Sequence, residues 1–374
     1  MAGFTNGDSR SDTGAANVSD ASPANLPSAD DVEWETTVCP LCGEDRFQTD
    51  FICGDLLYGC PGEFKVVRCE RCHHRFLNPR PSRRSIGRFY PSDYGPFRGM
   101  KNEASARPTE VRASRFSFRS WNWLKRLVLW WIDSRAAPLP EPGDRERRRA
   151  LELGCSHGSY LEQLQRAGWS CVGVEPAAEV AARAAANGFD VRVGSLEEAI
   201  QQEGDRPSTF SPMSFDAVIA WMVAEHLHDP VSTLKIVREL LAPGGLLMIS
   251  VPNFGCWERP IFGRYWYALQ LPTHLQYFNP TSLLQLVNAS GFELVELIHQ
   301  RNVNNLVGSV GLWLRAMFPR WSLGTRMIRW TDNPSALGLC LLMPLARGLA
   351  LIRQAGRLTV VARRPDDAAS RGEN

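Results

Sequence analysis

The sequence predicts an α/β protein. A doubly wound, largely parallel sheet of seven strands should follow a small module built on cysteines. Three observations carry that expectation. From residue 150 onward, short apolar runs alternate with amphipathic stretches, the pattern of strand–helix–strand units. The first such run, "LEL" (151–153), opens into a glycine-bearing turn, "GCSHG" (154–158). Near the N-terminus two C-x2-C pairs are separated by 26 residues.

At 374 residues the chain can hold one large domain and a smaller module. Its hydrophobic fraction of 44% is ordinary, and a net charge of +2 points to no polyanionic partner, DNA included. Residues 1–33 are mostly small and polar and lack the apolar core of a secretory signal, so they read as a disordered tail. The ten cysteines then suggest a cytoplasmic protein with metal ligands or buried thiols. The longest apolar run, "SALGLCLLMPLA", contains Pro344 and stops at Arg347, short of the ~18–20 residues that span a bilayer.

"CPLCG" and "CERC" bring Cys39, Cys42, Cys69 and Cys72 into a four-thiolate set, which suits a structural Zn2+ with no open coordination position. Residues 34–98 form the expected zinc-ribbon-like module, with the metal supplying what a small core cannot. Cys53 and Cys60 lack the paired spacing and are left out of the set. His73, His74 and His228 read as exposed. Residues 99–149 form a helical linker, where Trp121, Leu124, Val128 and Trp131 make an apolar stripe at helical spacing.

The domain from 150 to 374 supplies the strands in order: "ALEL", "WSCVGVE", "DVRVGS", "FDAVIAW", "LLMISVP", "FELVELIHQ" and "RLTVVARR". Gly168 and Gly188 stop the first two helices, and Asp229–Pro230 and Asn279–Pro280 start two later ones. Such a sheet binds its ligand at the carboxyl ends of the strands. The turn after the first strand carries Gly154 and Gly158, and Glu175 closes the second strand 23 residues after Glu152, placed to meet ribose hydroxyls. A dinucleotide fingerprint needs glycines at 154, 156 and 159, where this chain has Gly, Ser and Ser. The loop therefore suits a phosphate-free, cationic nucleoside. Cys155 and His157 become side chains on a loop read through its backbone, not a nucleophile–base pair.

These residues resemble the class I S-adenosylmethionine-dependent methyltransferases, which implies a Rossmann-like fold. "LELGCSHGSYL" resembles the family's E/D-x-G-x-G-x-G loop, departing at Ser156, where glycine is usual. The resemblance implies S-adenosylmethionine contacts from Glu152, Gly154, Cys155, Ser156 and Gly158. It adds Glu175 and Pro176 of "GVEP", Ser195 and Leu196 of "GSLEE", and Trp221 of "FDAVIAWMVAEHLHDP". "LPTHLQYFNPTSLLQLVNASGFE" is similar to a signature of the subgroup related to ubiquinone-pathway methyltransferases. The N-terminal "CPLCG…VVRCERC…LNPRPS…YPSDYG" is similar to the zinc module fused to methyltransferases of sugar and polysaccharide biosynthesis. A small-molecule or glycan acceptor follows from that likeness, with phosphorylated and lipid-linked forms among the candidates.

Methyl transfer to a hydroxyl, or to a carbon beside a carbonyl, also needs a base. His226 and His274 are the candidates, with Glu225 placed to orient either imidazole. Residues 301–364 hold ten arginines and one acid, Asp332, a net of nine positive charges. The helical insert at 301–356 is expected to pack as a lid, and its arginines to meet phosphate or the inner face of a membrane. Two other readings compete. An RNA methyltransferase gripping RNA through the zinc module is disfavoured by the module's balanced charge. A non-catalytic protein of this fold draws support only from Ser156. The oligomeric state is not legible.

Overall fold

The computed structural model describes residues 32–90, 148–203 and 209–366. The stripe at 121–131 and the linker expected over 99–149 lie almost wholly outside the described residues. The chain begins with β1 (Trp34–Glu35), β2 (Phe47–Cys53), β3 (Phe64–Cys69), β4 (Arg75–Leu77) and β5 (Arg80–Pro81). After the linker come β6 (Arg149–Leu153), α1 (Ser159–Arg166), β7 (Ser170–Glu175), α2 (Ala178–Ala186), β8 (Asp190–Val193) and α3 (Leu196–Glu203). Then follow β9 (Phe215–Trp221), α4 (Pro230–Leu240), β10 (Leu241–Pro252), α5 (Glu258–Phe262), β11 (Gln276–Tyr277), α6 (Pro280–Ala289) and β12 (Glu293–His299). The chain closes with α7 (Asn304–Met317), α8 (Leu323–Asp332), α9 (Ala336–Leu351) and β13 (Arg357–Arg363).

All seven expected strands form one sheet in the order β12-β13-β10-β9-β6-β7-β8. β13 runs antiparallel to both its neighbours, and the ladders from β10 to β8 are parallel. The central strands are covered on both faces, which is why they read as unbroken apolar runs: Leu151, Ala217, Val218, Leu247 and Ile249 are fully buried. The helix signals act where the sequence puts them. Asp229 accepts from Ser232 N at 3.0 Å ahead of Pro230. Asn279 and Ser282 close a reciprocal capping box at α6. Gly188 takes a left-handed φ of 88° just beyond α2.

The N-terminal module is not a free-standing unit. β2, β3 and β4 form an antiparallel meander, and β11, some 200 residues later in the chain, adds its fourth strand through Gln276↔Phe76 and Tyr277↔Arg75. Cys39, Leu41, Val67, Cys69 and Phe76 belong to the same apolar cluster as the main sheet's core. This joint overturns three expectations. His74 is buried, with Nε2 2.9 Å from Gln276 Oε1, because β11 covers it. His228 is buried too, donating from Nε2 to Pro81 O at 3.0 Å, while Arg80 donates to His228 O at 2.6 Å. Val32 and Glu33, assigned to the tail, are held: Val32 sits in the module's core and Glu33 pairs with Arg84. His73 alone of the three histidines is exposed.

The insert of α7, α8 and α9 precedes β13, and its inner side meets the 258–269 segment, Leu56 of the module and Gly356. Ser309 Oγ accepts from Tyr267 N at 2.9 Å, and Asn305 Nδ2 donates to Gly356 O at 2.8 Å. Gly308 lets the Tyr267 ring approach, since a Cβ there would stand 2.4 Å from the ring.

A shared core should melt as one. Phe76→Ala removes a fully buried ring packed on Phe47 and His74, and should cost about 3–5 kcal/mol. Calorimetry should show a single transition moving down; two transitions, only one of them shifted, would show that the module melts independently.

Candidate active site

The loop between β6 and α1 is built for close approach. Gly154 (φ 63°) lies against the segment after β9, where an added Cβ would meet Val223 Cγ2 at 2.6 Å. Gly158 (φ 89°) starts α1, and an added Cβ would strike the Phe189 ring at 2.5 Å. Ser156 occupies the left-handed region at φ 49°, a conformation that costs a non-glycine residue of order 1 kcal/mol or more. Its N–H donates to Glu175 Oε2 at 2.9 Å, and Ala177 N donates to Oε1 at 2.9 Å. Glu175 at the end of β7 therefore holds the loop in place while each oxygen keeps lone-pair capacity. Burial raises its pKa.

Glu152 is buried in β6 beneath this loop. Pro176 is exposed beside Glu175. Gly194 N donates to Glu175 O at 3.0 Å, so Ser195 follows on the same rim, exchanging hydrogen bonds with Glu198; Leu196 is in the core. Trp221 ends β9 with the Tyr160 ring edge-on at 5.4 Å. Cys155 is buried, and a Cβ on Gly173 would lie 2.5 Å from its sulfur. Burial pushes its thiol pKa up. His157 bonds Ser156 Oγ at 3.3 Å instead. The loop holds no thiolate nucleophile.

Directly beyond β9, Met222 at φ 58° turns the chain into a short 3-10 turn, Ala224–His226. His226 Nδ1 is 2.9 Å from Thr273 O and 3.0 Å from Tyr90 Oη. A carbonyl only accepts, so Nδ1 carries the proton and Nε2 keeps its lone pair. His274 lies edge-on to His226, ring centroids 4.7 Å apart, with its own Nδ1 donating to Ala268 O at 2.9 Å. Burial pushes His226 down to about 4, and burial together with His226 lowers His274 well below the usual imidazole range. Glu225 is fully buried with no hydrogen bond to either carboxylate oxygen, and burial pushes it up to about 8. The expectation that Glu225 orients an imidazole is thus corrected: backbone carbonyls do so. Burial thus favours the uncharged form of all three groups. Their ligand atoms lie within 4.8 Å of one another, so the set could also hold a divalent cation.

Tyr90 is the residue that sequence reasoning missed. It stands in "YPSDYG", a segment noted only for its likeness to the zinc module, and its phenol reaches His226 from the far end of that module.

The four cysteines come together. Cys39 Sγ and Cys72 Sγ are 3.4 Å apart, and Cys42 Sγ and Cys69 Sγ 3.6 Å. Tetrahedral zinc–thiolate bonds of ~2.3 Å need sulfurs roughly 3.8 Å apart. Each knuckle has the same backbone: Gly43 and His73 take positive φ and return N–H bonds to Cys39 O and Cys69 O. The donor set fits Zn2+. Cys53 and Cys60 stay outside it, buried in the module's second core.

The arginines of residues 301–364 divide between hydrogen-bonded and exposed positions. Arg315 donates to Leu56 O, and Arg364 bonds the carbonyls of Arg238 and Leu241. The electrostatic partners of Arg357 are Tyr267, Glu225 and Glu258. Arg320, Arg326, Arg329 and Arg353 face solvent.

Residues 121–297 match the model of a methyltransferase domain. Two ubiquinone biosynthesis O-methyltransferases, from two strains of Cereibacter sphaeroides, are similar to the chain. One is 31% identical over 173 residues, 43% of this chain and 65% of that protein. The other is 30% identical over 203 residues, 51% of this chain and 72% of that protein. The alignments thus span under two thirds of the first relative's own length and somewhat more of the second's. A solved S-adenosylmethionine dependent methyltransferase from Mesorhizobium loti covers 66% of this chain and 97% of its own, with 18% identity and a TM-score of 0.38.

Nitrogen NMR of the imidazoles should find His226 as the neutral Nδ1–H tautomer at neutral pH and still so at pH 5.5. A folded pKa near 4 against 6.5 unfolded means stability present above 6.5 and lost as pH falls towards 4. A titration of His226 centred near 6.5 would show that the site is open to water.

Proposed function

The chain belongs to the class I S-adenosylmethionine-dependent methyltransferases, and from that premise we propose that it methylates a hydroxyl oxygen of a small polar, glycan-type acceptor. The observation that carries this is the neutral imidazole pair His226–His274, with fixed Nδ1–H atoms and bare Nε2 atoms, one loop away from Gly154. An amine acceptor gains little from two uncharged proton acceptors; a hydroxyl must lose its proton as it attacks.

When bound, the cofactor supplies an electrophilic methyl on a sulfonium. The chain's own residues do the rest. Gly154 and Gly158 let the loop backbone approach the ligand, and Glu175 accepts from the ribose hydroxyls. His226 Nε2 takes the acceptor's proton, with Thr273 O and Tyr90 holding its ring. His274 supports the same pocket. Most of the acceleration is positional, with effective molarities of ~10⁵ M and above open to well-oriented groups. Cys39, Cys42, Cys69 and Cys72 would hold a structural Zn2+, which would fix the module that delivers Tyr90.

Support for a glycan-type acceptor comes from the likeness of that module to the one in sugar and polysaccharide methyltransferases. It lies outside the matched domain at 121–297, so it is an addition to the shared catalytic unit. A second reading, an oxygen of a quinone precursor, is favoured by the names of the relatives at 30–31% identity.

Transfer of a labelled methyl to a panel of nucleotide sugars, sugar phosphates and phenolic quinone precursors separates the two readings. Product with the sugars is expected. His226→Gln should lower kcat by ~10²–10⁴ with little change in cofactor affinity. Transfer to phenols alone would overturn the glycan reading.

Glu175→Ala should weaken S-adenosylmethionine binding by ~1.5–3 kcal/mol for each charge-assisted bond lost, and more if the Ser156 loop loosens. Calorimetry showing unchanged affinity would remove Glu175 from the site.

Elemental analysis should find one zinc per chain, lost in Cys69→Ser. Because the module shares the main core, chelation should lower the melting temperature of the whole chain. A folded, metal-free preparation with the same melting temperature would refute the zinc assignment.

A further inference from the structure

α9 turns an unbroken apolar face to solvent. Leu337, Leu341, Leu345, Leu351 and Ile352 are exposed by 71, 71, 46, 85 and 64%. At 3.6 residues per turn these five positions fall within an arc of about 120°. Pro344 and Gly348, also exposed, complete the arc without adding a polar group. The opposite side of the helix, Met343, Ala346 and Leu349, is buried and already satisfies the fold. Scattered exposed leucines need no explanation, but a stripe the full length of a 16-residue helix does.

Two further features accompany it in the same insert. At the α7–α8 turn, Trp313, Phe318 and Trp321 form an exposed aromatic cluster, with Phe318 and Trp321 stacked at 4.8 Å. Arg320, Arg326, Arg329 and Arg353 are exposed in a segment whose one acid is Asp332. We infer that the outer face of this insert docks on an anionic lipid surface. Leucines of α9 enter the acyl boundary, tryptophans sit at headgroup level, and guanidiniums meet lipid phosphates in charge-assisted pairs.

The charge decides the occupant. A symmetric dimer through this face would bring arginines against their own copies, with almost no acid to offset them. Anionic headgroups complement them. The geometry fixes a peripheral seat: no single helix among the described residues is long and apolar enough to cross a membrane, and α8 meets α9 at 88°. The docking face uses none of the residues assigned to methyl transfer, so it stands or falls apart from that reading.

The test is flotation of the full chain with vesicles of phosphatidylcholine alone and of phosphatidylcholine mixed with phosphatidylglycerol. The expected result is retention on the anionic vesicles, falling as salt rises to roughly 0.5 M. Leu341→Gln with Leu345→Gln should reduce partitioning by about tenfold or more while S-adenosylmethionine affinity and circular dichroism stay unchanged. Leu337→Gln with Leu351→Gln serves as the second pair if the first disturbs the helix. Arg326→Gln with Arg329→Gln should erase the preference for anionic over neutral vesicles. Wild-type protein that fails to float with anionic vesicles at low salt overturns the proposal. So do leucine variants that bind like wild type, or a solution dimer that the leucine variants dissolve, which would mark the face as an interface between copies.

Discussion

The pairing of Gln276 and Tyr277 with Phe76 and Arg75 is the constraint on which the rest of the molecule depends. Two residues of β11 close the sheet of a module that the chain left behind about 200 residues earlier. Gln276 works in three directions at once. It belongs to the ladder, its Oε1 is bonded to His74 Nε2, and its Nε2 donates to Leu227 O at 2.9 Å. Leu227 follows His226, and His274 stands two residues before Gln276. The same short segment therefore anchors the cysteine module and sets the separation of the two imidazoles. This makes the four-cysteine cluster relevant to chemistry although it stands apart from the site. Cys69 ends β3, β3 pairs with β4, β4 pairs with β11, and β11 follows directly on the loop that carries His274.

What the sequence revealed and what it hid divide along that line. Locally encoded features were legible: the seven strands, the caps at Asp229–Pro230 and Asn279–Pro280, the two cysteine knuckles and the glycine loop. Each depends on neighbours within a few residues. The joint between the halves was not. A two-residue strand carries no alternation, and the burial of His74 and His228 comes from partners 202 and 147 residues away. Tyr90 lay in plain sight within "YPSDYG", but nothing in its spacing aims a phenol at an imidazole 136 residues later. The role expected for Glu225 failed for a similar reason. Adjacency to His226 suggested that its carboxyl orients an imidazole, yet both of its buried oxygens lack a bonded donor among the described residues.

Desolvation of these groups unifies the site. A sulfonium ligand brings a positive charge that disappears from sulfur during methyl transfer, so a fixed carboxylate beside the methyl would stabilise the starting state most. In the proposed reaction the carboxylate of Glu175 stands at the ribose end, while two imidazoles, a buried carboxyl and a phenol surround the acceptor end. Ser156 fits this arrangement. A glycine there would relieve the left-handed backbone, but the bond the chain uses, from the Ser156 N–H to Glu175, needs only that conformation and not a missing side chain.

The insert adds the last coupling. Its inner face is joined to the site through Tyr267: Ser309 accepts from the Tyr267 N–H, the Tyr267 hydroxyl lies 2.9 Å from Thr331 Oγ1, and Gly308 admits the ring. The next residue, Ala268, provides the carbonyl that fixes the tautomer of His274. Asn305 meanwhile holds Gly356 at the start of β13, beside Arg357, whose field reaches Glu225 and Glu258. α7 and α8, which carry Trp313, Arg326 and Arg329 outward, are thus the helices whose inner side holds Tyr267, next to the carbonyl that sets the tautomer of His274.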